Sequence, residues 1–129
     1  LRDKLFRMED IQEFASKLFD FARNGDGTLL EYIAQGVNPN MVNQDGQSFV
    51  MLAAYNGHAE LVTKLAAAGG NVNLLNDRNQ SPLAGAIFKK EDAVIEALLA
   101  AGADPQAGQP NALDSARMFG REDLIERLS

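Results

Sequence analysis

The chain of 129 residues has no cysteine, which excludes disulfides, thiol catalysis and zinc-thiolate sites. It leaves the compartment open, because reducing and oxidising surroundings both tolerate cysteine-free chains. There is a single histidine, His58. An excess of positive charge is also missing: the formal net charge is −6 and the isoelectric point about 4.7. That balance opposes binding by phosphate neutralisation, so neither nucleic acid nor an anionic membrane is expected as a partner. Long apolar runs are absent too. The longest, Phe49 to Tyr55, is far too short to span a bilayer. The opening "LRDKLFRMEDIQEF" is broken by charges of both signs and has no signal-peptide core, so a cytoplasmic location is expected. Met8 is a candidate natural start, with Leu1 to Arg7 belonging to a longer product.

What the chain does have is 46% hydrophobic residues, ordinary for one folded domain over 1–129. It also has an internal repeat. "NQDGQSFVMLAAYNGHAELVTKLAAAGGNVN" aligns without gaps on "NDRNQSPLAGAIFKKEDAVIEALLAAGADPQ" at a spacing of 33. Ser48 falls on Ser81, Ala53 on Ala86, Leu65 on Leu98 and Gly69 on Gly102. "NALDSARMFGREDLIERL" is a third copy after a shortened loop, with Ala116 at the place of Ala86 and Gly120 at that of Lys90. Upstream, Gly36 precedes Gly69 by 33.

Each unit reads as two short helices and a loop. Ser48 and Ser81 are N-caps, whose hydroxyls accept from free backbone amides. Pro82 follows at the first helical position, where its missing donor costs nothing. Alanines let neighbouring helices approach, and Gly57 accepts the left-handed turn that ends the first helix. Leu61, Val62, Leu65 and Ala66 form the apolar face of the second.

These motifs resemble the ankyrin repeat. The residues that carry the resemblance are Asp45-Gly46-x-Ser48, Ala53-Ala54-x-x-Gly57-His58, Gly69-Gly70-Asn71-Val72-Asn73, Ser81-Pro82-Leu83 and Leu98-Leu99-x-x-Gly102-Ala103-Asp104-Pro105, within Leu18 to Leu128. The implied fold is an all-α solenoid of about four helix-turn-helix units. Segments 24–42, 43–75, 76–108 and 109–129 follow a capping helix within 1–23. The family's usual Thr-Pro-Leu-His is Ser48-Phe49-Val50-Met51 in one unit and Ser81-Pro82-Leu83-Ala84 in the next, so its threonine-histidine bond is missing. Asn79 replaces the finger glycine, as the next best residue for positive φ. Ile11, Phe14, Ala15, Leu18, Phe19 and Ala22 give the first helix one apolar face, with Asp10 and Glu13 as a capping box. Arg121, Glu122, Asp123, Glu126 and Arg127 give the last helix a charged outer face.

Three chemical motifs compete with this reading. His58 has the chemistry of a base, metal ligand or haem ligand, but only Glu60 accompanies it in sequence, and glycine-histidine at a helix start is commonplace in the resembled family. Asp20 to Glu31 has the length of a calcium loop, yet its third ligand position is Ala22 and its eighth Gly27. "NGDGT" lacks the lysine and preceding strand of a phosphate cradle. No catalytic residue, metal site or cofactor is assigned.

The resemblance implies a protein-protein interaction module, not an enzyme, binding a protein partner on a concave face of finger loops and first-helix ends. The implied finger positions are Gln44, Asp45 and Gln47, then Asp77, Arg78 and Gln80. The helix-end positions are Tyr55 and Asn56, Phe88 and Lys89, then Met118 and Phe119. Tyr55, Phe88 and Met118 recur at equivalent places. They are either exposed interface anchors, which the resemblance favours, or fillers between small-residue helices. A free monomer is expected. The rival functions are an accessory cofactor-handling protein using His58 and an inhibitor or immunity-type protein.

Overall fold

Ser48, Ser81 and Asn111 each start a seven-residue helix in the same way. Their side-chain oxygens accept from the backbone N–H three residues on: Met51 at 3.0 Å, Ala84 at 3.1 Å and Asp114 at 2.8 Å. The computed structural model describes residues 8–129. Among these are eight helices: α1 (Met8–Asn24), α2 (Thr28–Ala34), α3 (Phe49–Tyr55), α4 (Ala59–Ala67), α5 (Pro82–Phe88), α6 (Asp92–Ala100), α7 (Ala112–Met118) and α8 (Glu122–Leu128). None is long and apolar enough to cross a membrane.

The helices pair as α1/α2, α3/α4, α5/α6 and α7/α8, and the first helices stack in the order α1, α3, α5, α7. This is the all-α solenoid expected from the repeats. Ala53, Ala86 and Ala116 are wholly buried at equivalent places, so the first helices meet closely. Leu61, Val94 and Leu124 repeat as core residues of the second helices, as do Leu65, Leu98 and Leu128. At the first interface the rings of Phe19 and Phe49 lie 4.9 Å apart.

Two expectations at the N-terminus are corrected. Met8 and Glu9 are already helical, so Asp10 lies inside the first turn and does not cap it. Its charge still suits the positive end of the helix dipole. Ile11 and Phe14, expected in the core, are exposed. α1 has 17 residues and its neighbour α3 only seven, and burial is confined to Leu18, Phe19 and Ala22. Phe14 instead meets Tyr32 edge-on at 5.4 Å. Of the expected cap segment 1–23, positions 1–7 lie outside the described residues.

The units are also tied by polar links. Asn40 Oδ1 accepts from Asn71 N at 2.7 Å, and Asn40 Nδ2 donates to the Gly69 carbonyl at 3.1 Å. One unit later, Asn73 Oδ1 accepts from Asp104 N at 2.7 Å. The last unit uses charge. Arg121 bonds Asp92 at 2.9 Å, and Arg127 grips Glu96 through both guanidinium nitrogens at 2.6 and 3.1 Å. Two of the five residues expected on the outer face of α8 therefore reach back to α6. Hydrogen bonding from Arg127 holds the Glu96 carboxyl below its ordinary range, and Arg121 does the same for Asp123.

The interhelical turns need a left-handed residue. Gly25, Gly57 and Gly120 supply it, with φ of 69°, 82° and 64°. In the third unit Lys90 holds φ 59°. A side chain there costs about 1–2 kcal/mol, partly offset by the freedom glycine loses on folding, about 0.5–1 kcal/mol. Lys90→Gly is thus expected to raise the unfolding free energy by up to about 1 kcal/mol. A urea titration checks this, and a lower midpoint would refute it.

Candidate partner-binding face

Two of the finger loops are built around an asparagine. Asn43 Oδ1 accepts from Asp45 N and Gln47 N, both at 2.9 Å. Asn76 repeats the arrangement with Arg78 N at 2.9 Å and Gln80 N at 3.0 Å. Their amide nitrogens donate to Gln47 Oε1 at 3.2 Å and Gln80 Oε1 at 2.8 Å. Gln47 and Gln80, expected as contact residues, therefore also brace the loops. Successive fingers are joined by Asp77 N to Asp45 O at 3.1 Å and Gln109 N to Asn79 O at 2.9 Å. Asn79 has φ 61°, as its place in the finger required. Gln44, Asp45, Asp77 and Arg78 are exposed on these loops.

The row of large side chains at the first-helix ends is exposed: Tyr55 by 38%, Phe88 by 56% and Met118 by 64%. All three side chains reach the surface, while Tyr55 also rests against the next unit. Phe88 and Phe119 pack edge-to-face at 5.6 Å. Lys89 Nζ stands 4.8 Å from the centre of the Tyr55 ring. Gly85 gives that ring its seat, since a Cβ on Gly85 would lie 3.4 Å from Tyr55 Cδ1. A groove of about 330 Å³ runs between fingers and helix ends, and its walls include Gln47, Tyr55, Arg78, Gln80, Phe88 and Met118. Phe119 also lines it; Gln44, Asp45, Asp77, Asn56 and Lys89 lie outside the lining. Asn56 spends its amide on the Leu52 carbonyl at 2.8 Å.

Residues 18–109, most of the chain, match the family model for ankyrin repeats in three copies. The chain belongs to the ankyrin repeat family. Among curated relatives, it is similar to the ankyrin repeat protein PA3287 of Pseudomonas aeruginosa, 48% identical over 54 residues, which are 41% of this chain and 32% of that one. It is 32% identical over 112 residues to the nuclear factor NF-kappa-B p105 subunit of Rattus norvegicus, covering 80% of this chain and 11% of that one. Over 90 residues it is 32% identical to the inactive serine/threonine-protein kinase TEX14 of Mus musculus, covering 69% and 6%. The chain thus spans a third or less of the length of these relatives. Ankyrin repeats are in general protein-protein interaction modules, and the fold is non-catalytic as a family.

Within this ankyrin stack the chemical motifs have structural partners. His58 Nε2 donates to the Arg23 carbonyl at 2.7 Å, and its ring covers Gly25 of the preceding turn, away from the groove lining. Asp20 to Asn24 form the end of α1, with Asp20 bonded to Arg23 at 2.8 Å. Asp26 accepts from Thr28 N at 2.9 Å, and this bond lowers its pKa and opens α2. A twelve-residue cation loop from Asp20 to Glu31 is therefore not formed.

The sequence reading missed Asn43, Asn76, Met51 and Pro110; the last three also line the groove. The asparagines carried a signal, since each stands five residues before its capping serine. Gly85 carried another: a glycine inside a helix with no left-handed turn to explain it.

Proposed function

We propose that this ankyrin domain binds a protein partner in the groove between its fingers and first-helix ends, with Tyr55, Phe88 and Met118 as apolar anchors. The observation that supports it is the exposure of three large side chains at repeat-equivalent positions beside ordered loops. Large apolar groups exposed in a row mark interaction surfaces. The asparagine-braced fingers reduce the ordering cost of binding. Asp45, Asp77, Arg78 and Lys89 would set register and select charge. Asn56 and Gln44 flank the same face.

A partner isolated from the native organism provides the test. Each anchor truncation is expected to cost at least about 1–2 kcal/mol. Tyr55→Ala combined with Phe88→Ala should thus weaken a titrated partner by tenfold or more. Both side chains are exposed, so the melting temperature should change little. Undiminished affinity in the folded double variant would refute the proposal.

A further inference from the structure

Five of the nine cations among the described residues stand beside an acid; Arg78 and Lys89, on the proposed face, do not, and neither do Lys17 and Lys90. Among the described residues, four arginines have a carboxylate close by: Arg23 with Asp20 at 2.8 Å, Arg117 with Asp114 at 3.8 Å, Arg121 with Asp92 at 2.9 Å, and Arg127 with Glu96 at 2.6 Å. Arg78, in the groove wall, has none within 4 Å. Lys89 is held over the Tyr55 ring and likewise lacks an acid. What distinguishes Arg78 and Lys89 is their place beside the apolar row, Arg78 in the groove wall and Lys89 over the Tyr55 ring. Two acids stand nearby on the fingers. Asp77 lies against Gly46 of the preceding finger, and Asp45 is exposed at the tip; neither pairs with a cation.

We infer that the groove takes an acidic peptide segment of its partner, one that presents an aromatic or large aliphatic side chain to Phe88 and Met118 and a carboxylate to Arg78 and Lys89. This rests on the groove being the binding face. The apolar row accepts the side chain by burial. Arg78 offers a planar fork that matches a carboxylate in two bonds. Lys89, positioned by the tyrosine ring, supplies a second positive charge at lower ordering cost. A single-stranded nucleic acid would also stack on aromatics. Two cations release few counterions, however, which suits a segment presenting one or two carboxylates better than a chain carrying a charge on every nucleotide.

A random linear peptide library displayed on phage and panned against the full chain tests the inference. Enriched sequences should carry Asp or Glu within a few residues of an aromatic or large aliphatic residue. Synthetic versions should bind at least tenfold more weakly to Arg78→Glu/Lys89→Glu and to Phe88→Ala, and the charge effect should shrink as salt rises. Both cations are exposed and unpaired, so the reversal variant should melt with wild type. Peptides that need Phe88 but show no acidic enrichment, or ignore the charge reversal, overturn the inference and leave the groove standing. Peptides indifferent to Phe88→Ala, no enrichment at all, or capture only of a single-stranded oligonucleotide overturn both.

Discussion

Phe49→Ala is expected to lower the unfolding free energy by about 3–5 kcal/mol, the range for deleting a buried aromatic from a close-packed core. Phe49 is fully buried at the start of α3 and meets Phe19 of the preceding unit. Its loss opens a cavity at the interface between two units. The stability of a solenoid is a sum of weak units and the interfaces between them, so damage at an interface is felt by both neighbours. Whole domains of this size are typically stable by only about 5–15 kcal/mol, which makes one such loss a large fraction of the total. Urea unfolding followed by circular dichroism measures it. A loss below about 1 kcal/mol would mean that Phe49 is not the core residue its burial indicates. Phe49→Leu, which keeps most of the volume, should cost much less.

Gly46→Ala should cost about 2–3 kcal/mol and also disturb binding, although no groove side chain changes. Gly46 has φ 74°, where an alanine is strained by about 1–2 kcal/mol. A Cβ there would stand 2.9 Å from the Asp77 backbone nitrogen and closer still to its carboxylate. The two fingers must then separate, and the bond from Asp77 N to Asp45 O is strained or lost, at about 0.5–1.5 kcal/mol. Gly102→Ala separates the two causes. It shares a positive φ of 88°, but a Cβ there meets nothing within 4 Å. That variant should show backbone strain alone, with finger spacing and binding intact. Equal losses in the two variants would show that the contact between fingers adds nothing. Amide exchange at Asp77 reports the spacing directly.

The repeat register was legible because its signals are local and recur. Ser48 and Ser81 cap, Ala53, Ala86 and Ala116 permit contact, and Gly57 turns, all through chemistry that each residue carries by itself. The row of Tyr55, Phe88 and Met118 was legible for the same reason, although its exposure needed the fold. Less legible were residues whose role lies in a partner some thirty positions away. Asn40 and Asn73 read as loop asparagines until the next unit's amides are placed on them. Ile11 and Phe14 show the limit of periodicity. Spacing assigns residues to one helix face but does not say how far the neighbouring helix extends.

The different chemistries that join the units give the stack a direction of unravelling. The first two interfaces carry neutral asparagine bonds, which neither salt nor mild acid weakens. The last carries Arg121 with Asp92 and Arg127 with Glu96, all partly solvated. Salt screens such pairs. The carboxyl of Glu96 is held below its ordinary value, so its contribution is full above the usual carboxylate range and fades as pH falls through the lowered value. In high salt or strong acid, amides of α7 and α8 should therefore exchange before those of α3 and α4. The stack would loosen first at α7 and α8, and the finger that ends at Asn111 would be the first part of the binding face to lose its support.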